Sequence, residues 1–254
     1  MIGGTLAGQH ALVTGGGSGI GAACAAALSR AGVAVTVLGR RAAPLQGVVA
    51  RGDAAGYGIA DVSDAAAMAD AIGHAVARHG PVAILINNAG AAESAPFLRS
   101  DPAMFTRMLQ TNLMGAVIAS QAVLPAMLEA GYGRIVTIAS TAALKGYPYV
   151  TAYAAAKHAV LGLTRALSLE VAAKGVTVNA VCPGFTDTEL VAESIERIVA
   201  RTGRDAESAR AELARHNPQN RLVRPEEVAA TVLFLCQPDA AAVNGQALAV
   251  SGGE

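Results

Sequence analysis

Ala11-Leu12-Val13-Thr14-Gly15-Gly16-Gly17-Ser18-Gly19-Ile20-Gly21 is the stretch that decides the fold of this chain. Its first residues form a short apolar run suited to a buried strand, and the alanine-rich stretch that follows, Ala22 to Ala31, has helical spacing. Between them five glycines leave the backbone free to turn sharply. Strand, glycine turn and helix make the opening unit of a βαβ fold. The turn carries chemistry as well: a bare backbone can approach a pyrophosphate, and the free N–H groups and positive dipole end of the helix favour the anion. A glycine run alone is a weak signal. Placed between strand and helix it reads as a dinucleotide site, with Gly15, Gly17, Ser18, Gly19, Ile20 and Gly21 as contacts.

The alternation continues outward. Apolar runs at Ala11 to Val13, Val33 to Leu38, Val82 to Ile86, Ile135 to Ile138, Val176 to Val181 and Ala247 to Val250 lack polar alternation, as parallel strands covered on both faces do. Helices are expected near 22–31, 64–79, 102–128, 153–174 and 225–236. Asp101-Pro102 offers an N-cap with proline at the first helical position, and Arg224-Pro225-Glu226-Glu227 repeats the device with acids in the first turn. The order predicts an α/β fold, a doubly wound parallel sheet (Rossmann fold), in a single domain over residues 1–254. No repeat, low-complexity tract or linker divides it. Residues 186–220 are more charged and interrupt the rhythm before the last helix, so they are expected to form a short helical lid at the carboxyl edge of the sheet. Arg41 to Asp61 is short and glycine-rich, which predicts a truncated helix between the second and third strands.

With 254 residues, 53% hydrophobic and 15% charged, the chain can bury a large core. Basic and acidic residues number 19 each, so no excess charge draws it to nucleic acid or an anionic membrane. Cys24, Cys182 and Cys236 are far apart, with no C-x-x-C or Cys/His grouping, and His10, His74, His79, His158 and His216 show no ligand spacing; no metal is expected. Met1 to Leu6 lacks the basic and apolar regions of a signal peptide, and the apolar runs are broken by Asn, Pro, Gly or charge before they would span a bilayer. A cytoplasmic protein with buried thiols and a small-molecule substrate is expected.

The ribose reader of a dinucleotide site lies about 20 residues beyond the glycines, at the end of the second strand. An acid there binds the 2′-hydroxyl of NAD, but this chain has Leu38-Gly39-Arg40-Arg41. Two guanidinium groups and no carboxylate favour a 2′-phosphate, hence NADP(H) over NAD(H), with Gly39, Arg40 and Arg41 around it. Tyr153 and Lys157 lie four apart on an expected helix and share a face. The ammonium is expected to stabilise a phenolate and lower the phenol pKa, making Tyr153 an acid/base for a carbonyl or alcohol oxygen. Ser140, at the carboxyl end of the fifth strand, can hydrogen-bond that oxygen, although a lone serine there more often caps a loop. No G-x-S-x-G elbow surrounds it, which excludes a hydrolase nucleophile.

Gly15-x-x-x-Gly19-x-Gly21, Asn87-Asn88-Ala89-Gly90, Asn112, Ser140, Tyr153-x-x-x-Lys157 and Pro183-Gly184 occur together, in order and in register. In this the chain resembles the short-chain dehydrogenase/reductases over essentially its whole length, to Gly252-Gly253. The resemblance implies hydride transfer between a nicotinamide cofactor and a secondary alcohol or ketone, with Asn112, Ser140, Tyr153 and Lys157 as the catalytic residues. It implies that Lys157 also holds the nicotinamide ribose and that Asn112 holds a water linking Lys157 to solvent. It further implies that Asn87 to Gly90 brace the sheet and flank the adenosine through Asn88, Ala89 and Gly90, that Asp61 and Val62 contact the adenine, and that Pro183, Gly184, Phe185 and Thr188 fix the nicotinamide carboxamide. Asp61 reads equally well as a helix cap. A homotetramer of 222 symmetry is also implied; Met104, Met108, Leu113, Val117, Val123, Leu124 and Met127 give the long helix surplus apolar surface, and Ala152 to Ala156 permit close helix approach. A catalytically silent dinucleotide-binding protein is the rival reading, opposed by four catalytic positions that all carry the required residue type.

The substrate is expected to meet Ser140, Ala142, Leu144, Tyr147, Pro148, Tyr153, Phe185 and the lid, a mostly apolar set that disfavours a sugar. Arg197, Arg201, Arg204, Arg210 and Arg215 either pair with neighbouring acids or hold the phosphates of a coenzyme A or carrier arm. Resemblance to 3-oxoacyl reductases and 3-hydroxyacyl dehydrogenases favours a 3-oxoacyl thioester, with a small aromatic or alicyclic ketone as the alternative.

Overall fold

The computed structural model describes residues 6–254; Met1 to Thr5 and the side chain of Arg201 lie outside the described residues. Seven parallel strands form one sheet in the order β3-β2-β1-β4-β5-β6-β7: β1 His10–Thr14, β2 Ala34–Gly39, β3 Gly56–Ile59, β4 Val82–Asn87, β5 Gly133–Ile138, β6 Val176–Pro183 and β7 Ala247–Val250. Successive residues point to opposite faces of a strand, so a sheet covered on both sides needs apolar residues throughout. Val13, Ile84, Ile86, Val136 and Val181 turn one way, against α1 (Gly19–Arg30) and α9 (Pro225–Cys236). Leu12, Leu85, Ile135 and Val178 turn the other way, against α3 (Ala65–His79), α5 (Gly115–Ala130) and α6 (Thr151–Val171). Strand order reverses between β1 and β4, and ligands of such sheets sit at the carboxyl ends beside that point.

The caps follow the sequence closely. Asp101 accepts from Met104 N–H at 2.8 Å to start α4 (Pro102–Leu109). Glu227 accepts from Arg224 N–H at 2.8 Å at the head of α9. Asp64, rather than Asp61, caps α3, accepting from Ala66 and Ala67 N–H at 3.0 Å. α2 (Ala42–Ala50) has nine residues, the short helix the sequence predicts. β3 is absent from the apolar runs because its Gly-Tyr-Gly-Ile pairs only with β2 and leaves Tyr57 and Ile59 exposed at the sheet edge.

The long helix departs from expectation. α4 passes through a π turn, Gln110–Met114, into α5 and runs on past Pro125. The resulting 29 residues, Pro102–Ala130, are long and apolar enough to cross a membrane, which corrects the reading that every apolar run is too broken to do so. Within the chain Ala119, Val123 and Met127 are buried against the sheet, and Met108 against Ala152 and Ala156 of α6. Ala152 and Ala156, expected to admit a helix from another copy, thus already admit α4, while Ala155 stays exposed.

Residues 186–220 form α7 (Glu189–Thr202) and α8 (Ala206–Ala214), which share a cluster of Val191, Ile195, Ala209, Leu213 and Leu222 with Phe185 packed on it.

Candidate active site

The glycine loop is built for close approach. Gly15 has φ 62°, and a Cβ there would sit 2.9 Å from the Ala89 Cα; a Cβ on Gly21 would overlap the Gly15 carbonyl and the Asn88 side chain. Asn88 Nδ2 donates to the carbonyls of Thr14 and Gly15 at 3.0 Å, while Thr14 Oγ1 accepts from Asn88 and Ala89 N–H at 3.0 and 3.1 Å. Asn88, expected at the cofactor, therefore uses its carboxamide to brace the turn from β4. Ser18 is the N-cap of α1 but makes no side-chain cap bond, which leaves the first N–H groups of the helix for an anion. Loop and helix end fit a dinucleotide pyrophosphate.

At the end of β2, Gly39 is followed by Arg40 and Arg41, whose side chains are about three-quarters exposed and lean loosely on acids. Arg40 lies 3.9 Å from Asp61; Arg41 donates to Glu189 at 3.4 Å, and Ser18 Oγ donates to the same Glu189 oxygen at 3.1 Å. Glu189, one of the acids interspersed with the lid arginines, stands at the head of α7. Asp61 is held below the usual carboxylate range by hydrogen bonds from Ser63, and then by Arg40. Val62, also expected at the adenine, is buried with its side chain against Gly115. Ile20 packs against the core, and Thr188 caps α7 next to Gly19.

Tyr153 and Lys157 share a face of α6, with Lys157 Nζ 5.7 Å from the Tyr153 ring centroid. Lys157 is buried and donates to the Ile138 carbonyl at 2.9 Å; burial pushes its pKa down to about 8. The Tyr153 phenol is raised by burial and pulled down in part by a hydrogen bond with Ser140. The expected lowering of Tyr153 is thus not what the protein alone produces, because desolvation outweighs the one hydrogen bond and disfavours a charge on either partner. Ser140 faces both ways: its Oγ accepts from Ala142 N–H at 3.1 Å to cap the turn Thr141–Ala143, and it reaches the phenol of Tyr153.

Asn112 sits buried in the π turn, an extra-residue bulge that re-aims a side chain inward. Its Nδ2 donates to the carbonyls of Ala91 and Met108 at 3.0 Å. A Cβ on Gly90 would stand 2.8 Å from Asn112 Oδ1 and 3.6 Å from Lys157 Nζ, so the three residues converge. The long apolar pattern of the sequence gives no sign of the π turn.

Of the expected substrate residues, Tyr147 and Phe185 meet edge to face with centroids 6.4 Å apart. Ala142 is buried, and Leu144 and Pro148 are exposed. His216 packs 6.0 Å from Tyr147 and 5.2 Å from Phe185, completing an aromatic wall. Tyr147 Oη also lies 2.7 Å from Thr141 Oγ1 and donates to Glu254, a residue 107 positions away. Neither His216 nor Glu254 has a sequence neighbour that marks it. Three of the five lid arginines pair with acids, Arg197 with Glu193, Arg204 with Glu212 and Arg210 with Asp187, and the side chain of Arg201 lies outside the described residues.

Known proteins match this arrangement. The family model described as short chain dehydrogenase matches residues 9–198. An acetoacetyl-CoA reductase of Rhizobium meliloti (strain 1021) is 39% identical over 250 residues, spanning 96% of this chain and 97% of the relative. The crystal structure of a single-residue variant of actinorhodin polyketide ketoreductase with NADPH is 38% identical, with a TM-score of 0.92 over 96% of each chain. Levodione reductase is 32% identical, with a TM-score of 0.92 over 97% of each chain.

Proposed function

This chain belongs to the short-chain dehydrogenases, nicotinamide-dependent oxidoreductases of alcohols and ketones, and on that premise we propose that it uses NADPH to reduce the ketone of a 3-oxoacyl compound. The convergence of Ser140, Tyr153 and Lys157 at the carboxyl end of the sheet carries the reading. A phenol held protonated by burial is suited to giving its proton to a carbonyl oxygen, the reductive direction. Ser140 Oγ hydrogen-bonds that oxygen as charge develops, and the Lys157 ammonium favours the phenolate left behind. Asn112 holds the backbone at Ala91 beside Lys157. NADPH, when bound, supplies the hydride. The glycine loop and α1 would hold its pyrophosphate and Arg40 and Arg41 its 2′-phosphate, which favours NADPH over NADH.

The 3-oxoacyl class rests on the names of the relatives: an acetoacetyl-CoA reductase and a polyketide ketoreductase. The ion pairs of Arg197, Arg204 and Arg210 withdraw support from an arginine clamp on a coenzyme A arm. The aromatic wall of Tyr147, Phe185 and His216 favours a second reading, a flat aromatic or alicyclic ketone. NADPH oxidation against matched coenzyme A, ester and free cyclic ketones separates the two. Tyr153→Phe abolishes turnover and keeps NADPH binding; retained turnover refutes the assignment. Self-association into a homotetramer is part of the proposal, supported by exposed Leu109, Met114, Leu169 and Phe234, and a monomer in light scattering at micromolar concentration refutes it.

A further inference from the structure

The side chain of Glu254 is only 3% exposed, although it is a carboxylate. Its Oε1 accepts from the Tyr147 phenol and lies 3.5 Å from Lys145 Nζ. Its Oε2 is buried and has no hydrogen-bond partner among the described residues. Buried acceptors are nearly always paired, and an orphan beside the aromatic wall points to a partner that arrives with the ligand. The orphan lies directly over the backbone of Gly184, where a Cβ would fall 2.9 Å from Oε2. Gly184 directly follows β6 and leads into Phe185 of the aromatic wall, and Tyr147 Oη lies 2.7 Å from Oγ1 of Thr141, the residue after Ser140. Burial, and after it the Glu254 carboxylate, keep the Tyr147 phenol protonated as the donor that pins Oε1.

We propose that Glu254 is a specificity-determining residue of the substrate site: Oε2 accepts a hydrogen bond from a hydroxyl on the substrate, and the carboxylate charge rejects substrates that carry a free carboxylate. The ligand class is a neutral hydroxylated ketone, and a 3-oxoacyl group then enters as an ester or thioester, not as the free acid. The inference rests on the ketone-reductase reading above. Charge and hydrogen bonding are separable. Gln at this position keeps an acceptor without the charge; Ala removes both.

The test compares hydroxyacetone and 4-hydroxy-2-butanone with their methyl counterparts, 2-butanone and 2-pentanone, and with acetoacetate. The wild type is expected to favour at least one hydroxylated ketone over its counterpart about tenfold in kcat/KM, the discrimination that about 1.4 kcal/mol of hydrogen bonding gives. Acetoacetate is expected to be the poorest substrate. Glu254→Gln raises acetoacetate turnover about tenfold, and Glu254→Ala also erases the hydroxyl preference. Tyr147→Phe, which frees the carboxylate without deleting it, weakens both effects. Thermal melting checks that each variant is folded. An unchanged order of preference in both Glu254 variants, or an equal loss on every ketone, overturns the proposal. If no ketone is turned over while NADPH binds, the reductase assignment fails by itself, and calorimetric affinities of the same five compounds for the NADPH-loaded protein decide the role of Glu254.

Discussion

Replacing Asn88 by alanine tests whether the glycine loop is braced by this residue or only lined by it. Its Nδ2 donates to the carbonyls of Thr14 and Gly15, both at 3.0 Å. Each such bond contributes about 0.5–1.5 kcal/mol net, so losing both costs about 1–3 kcal/mol. For a chain of this size that is a fall in melting temperature of about 2–4 °C per kcal/mol, or roughly 2–12 °C in total. NADPH affinity falls with it, because Gly15 holds its positive φ against Ala89 only while the turn stays tied to β4. Asn88→Asp is worse than alanine, since it aims oxygens at the two carbonyls. Urea titration and fluorescence of bound NADPH measure the two effects separately. A variant of unchanged stability that loses only NADPH affinity refutes the bracing argument and makes Asn88 a direct contact.

Arg40→Ala is expected to weaken NADPH binding about tenfold, the loss of about 1.4 kcal/mol from one charge-assisted contact, with NADH binding unchanged; equal effects on the two cofactors in a fluorescence titration remove Arg40 from the 2′-phosphate site. Leu213→Ala opens a cavity in the lid cluster at a local cost of about 2–5 kcal/mol, so limited proteolysis within 186–220 and a raised KM are expected while the sheet stays folded. Glu227 is held at about 2 by hydrogen bonds, first from Arg221 and then from the Arg224 N–H. A carboxylate depressed on folding contributes stability above its unfolded pKa and loses it as pH falls toward the folded value. Glu227→Gln therefore lowers stability by about 1 kcal/mol at neutral pH, the scale of a helix cap with a partly exposed ion pair. The gap between wild type and variant closes as the pH of the melting experiment drops from about 5 toward about 3.

What could be read from the sequence was what repeats locally. The glycine turn, the strands buried on both faces and the Tyr153–Lys157 pair each rest on spacing within a few residues, where backbone geometry alone fixes the outcome. β3 escaped because an edge strand is half exposed and this one draws on Gly56 and Gly58, which leave no apolar run. The π turn escaped because it changes hydrogen-bond register without changing hydrophobic spacing, although it is what turns Asn112 inward. The lid arginines were legible as charges, but whether they face acids or a ligand depends on the packing of α7 and α8.

The aromatic wall and Glu254 lay furthest from the sequence, and for a physical reason. Tyr147, Phe185, His216 and Glu254 come from the turn after β5, the end of β6, the segment after α8 and the residues beyond β7. No short window of the chain contains two of them, and each alone reads as an ordinary side chain. They meet because parallel strands deliver all their carboxyl ends to one edge of the sheet. On the proposed reading the reaction class sits with Ser140 after β5 and with α6, held in register by helix geometry, whereas substrate choice is spread over four loops that only the folded sheet brings together. Changes at Glu254 or His216 are therefore expected, on that reading, to alter which ketone is taken without disturbing Ser140, Tyr153 or Lys157.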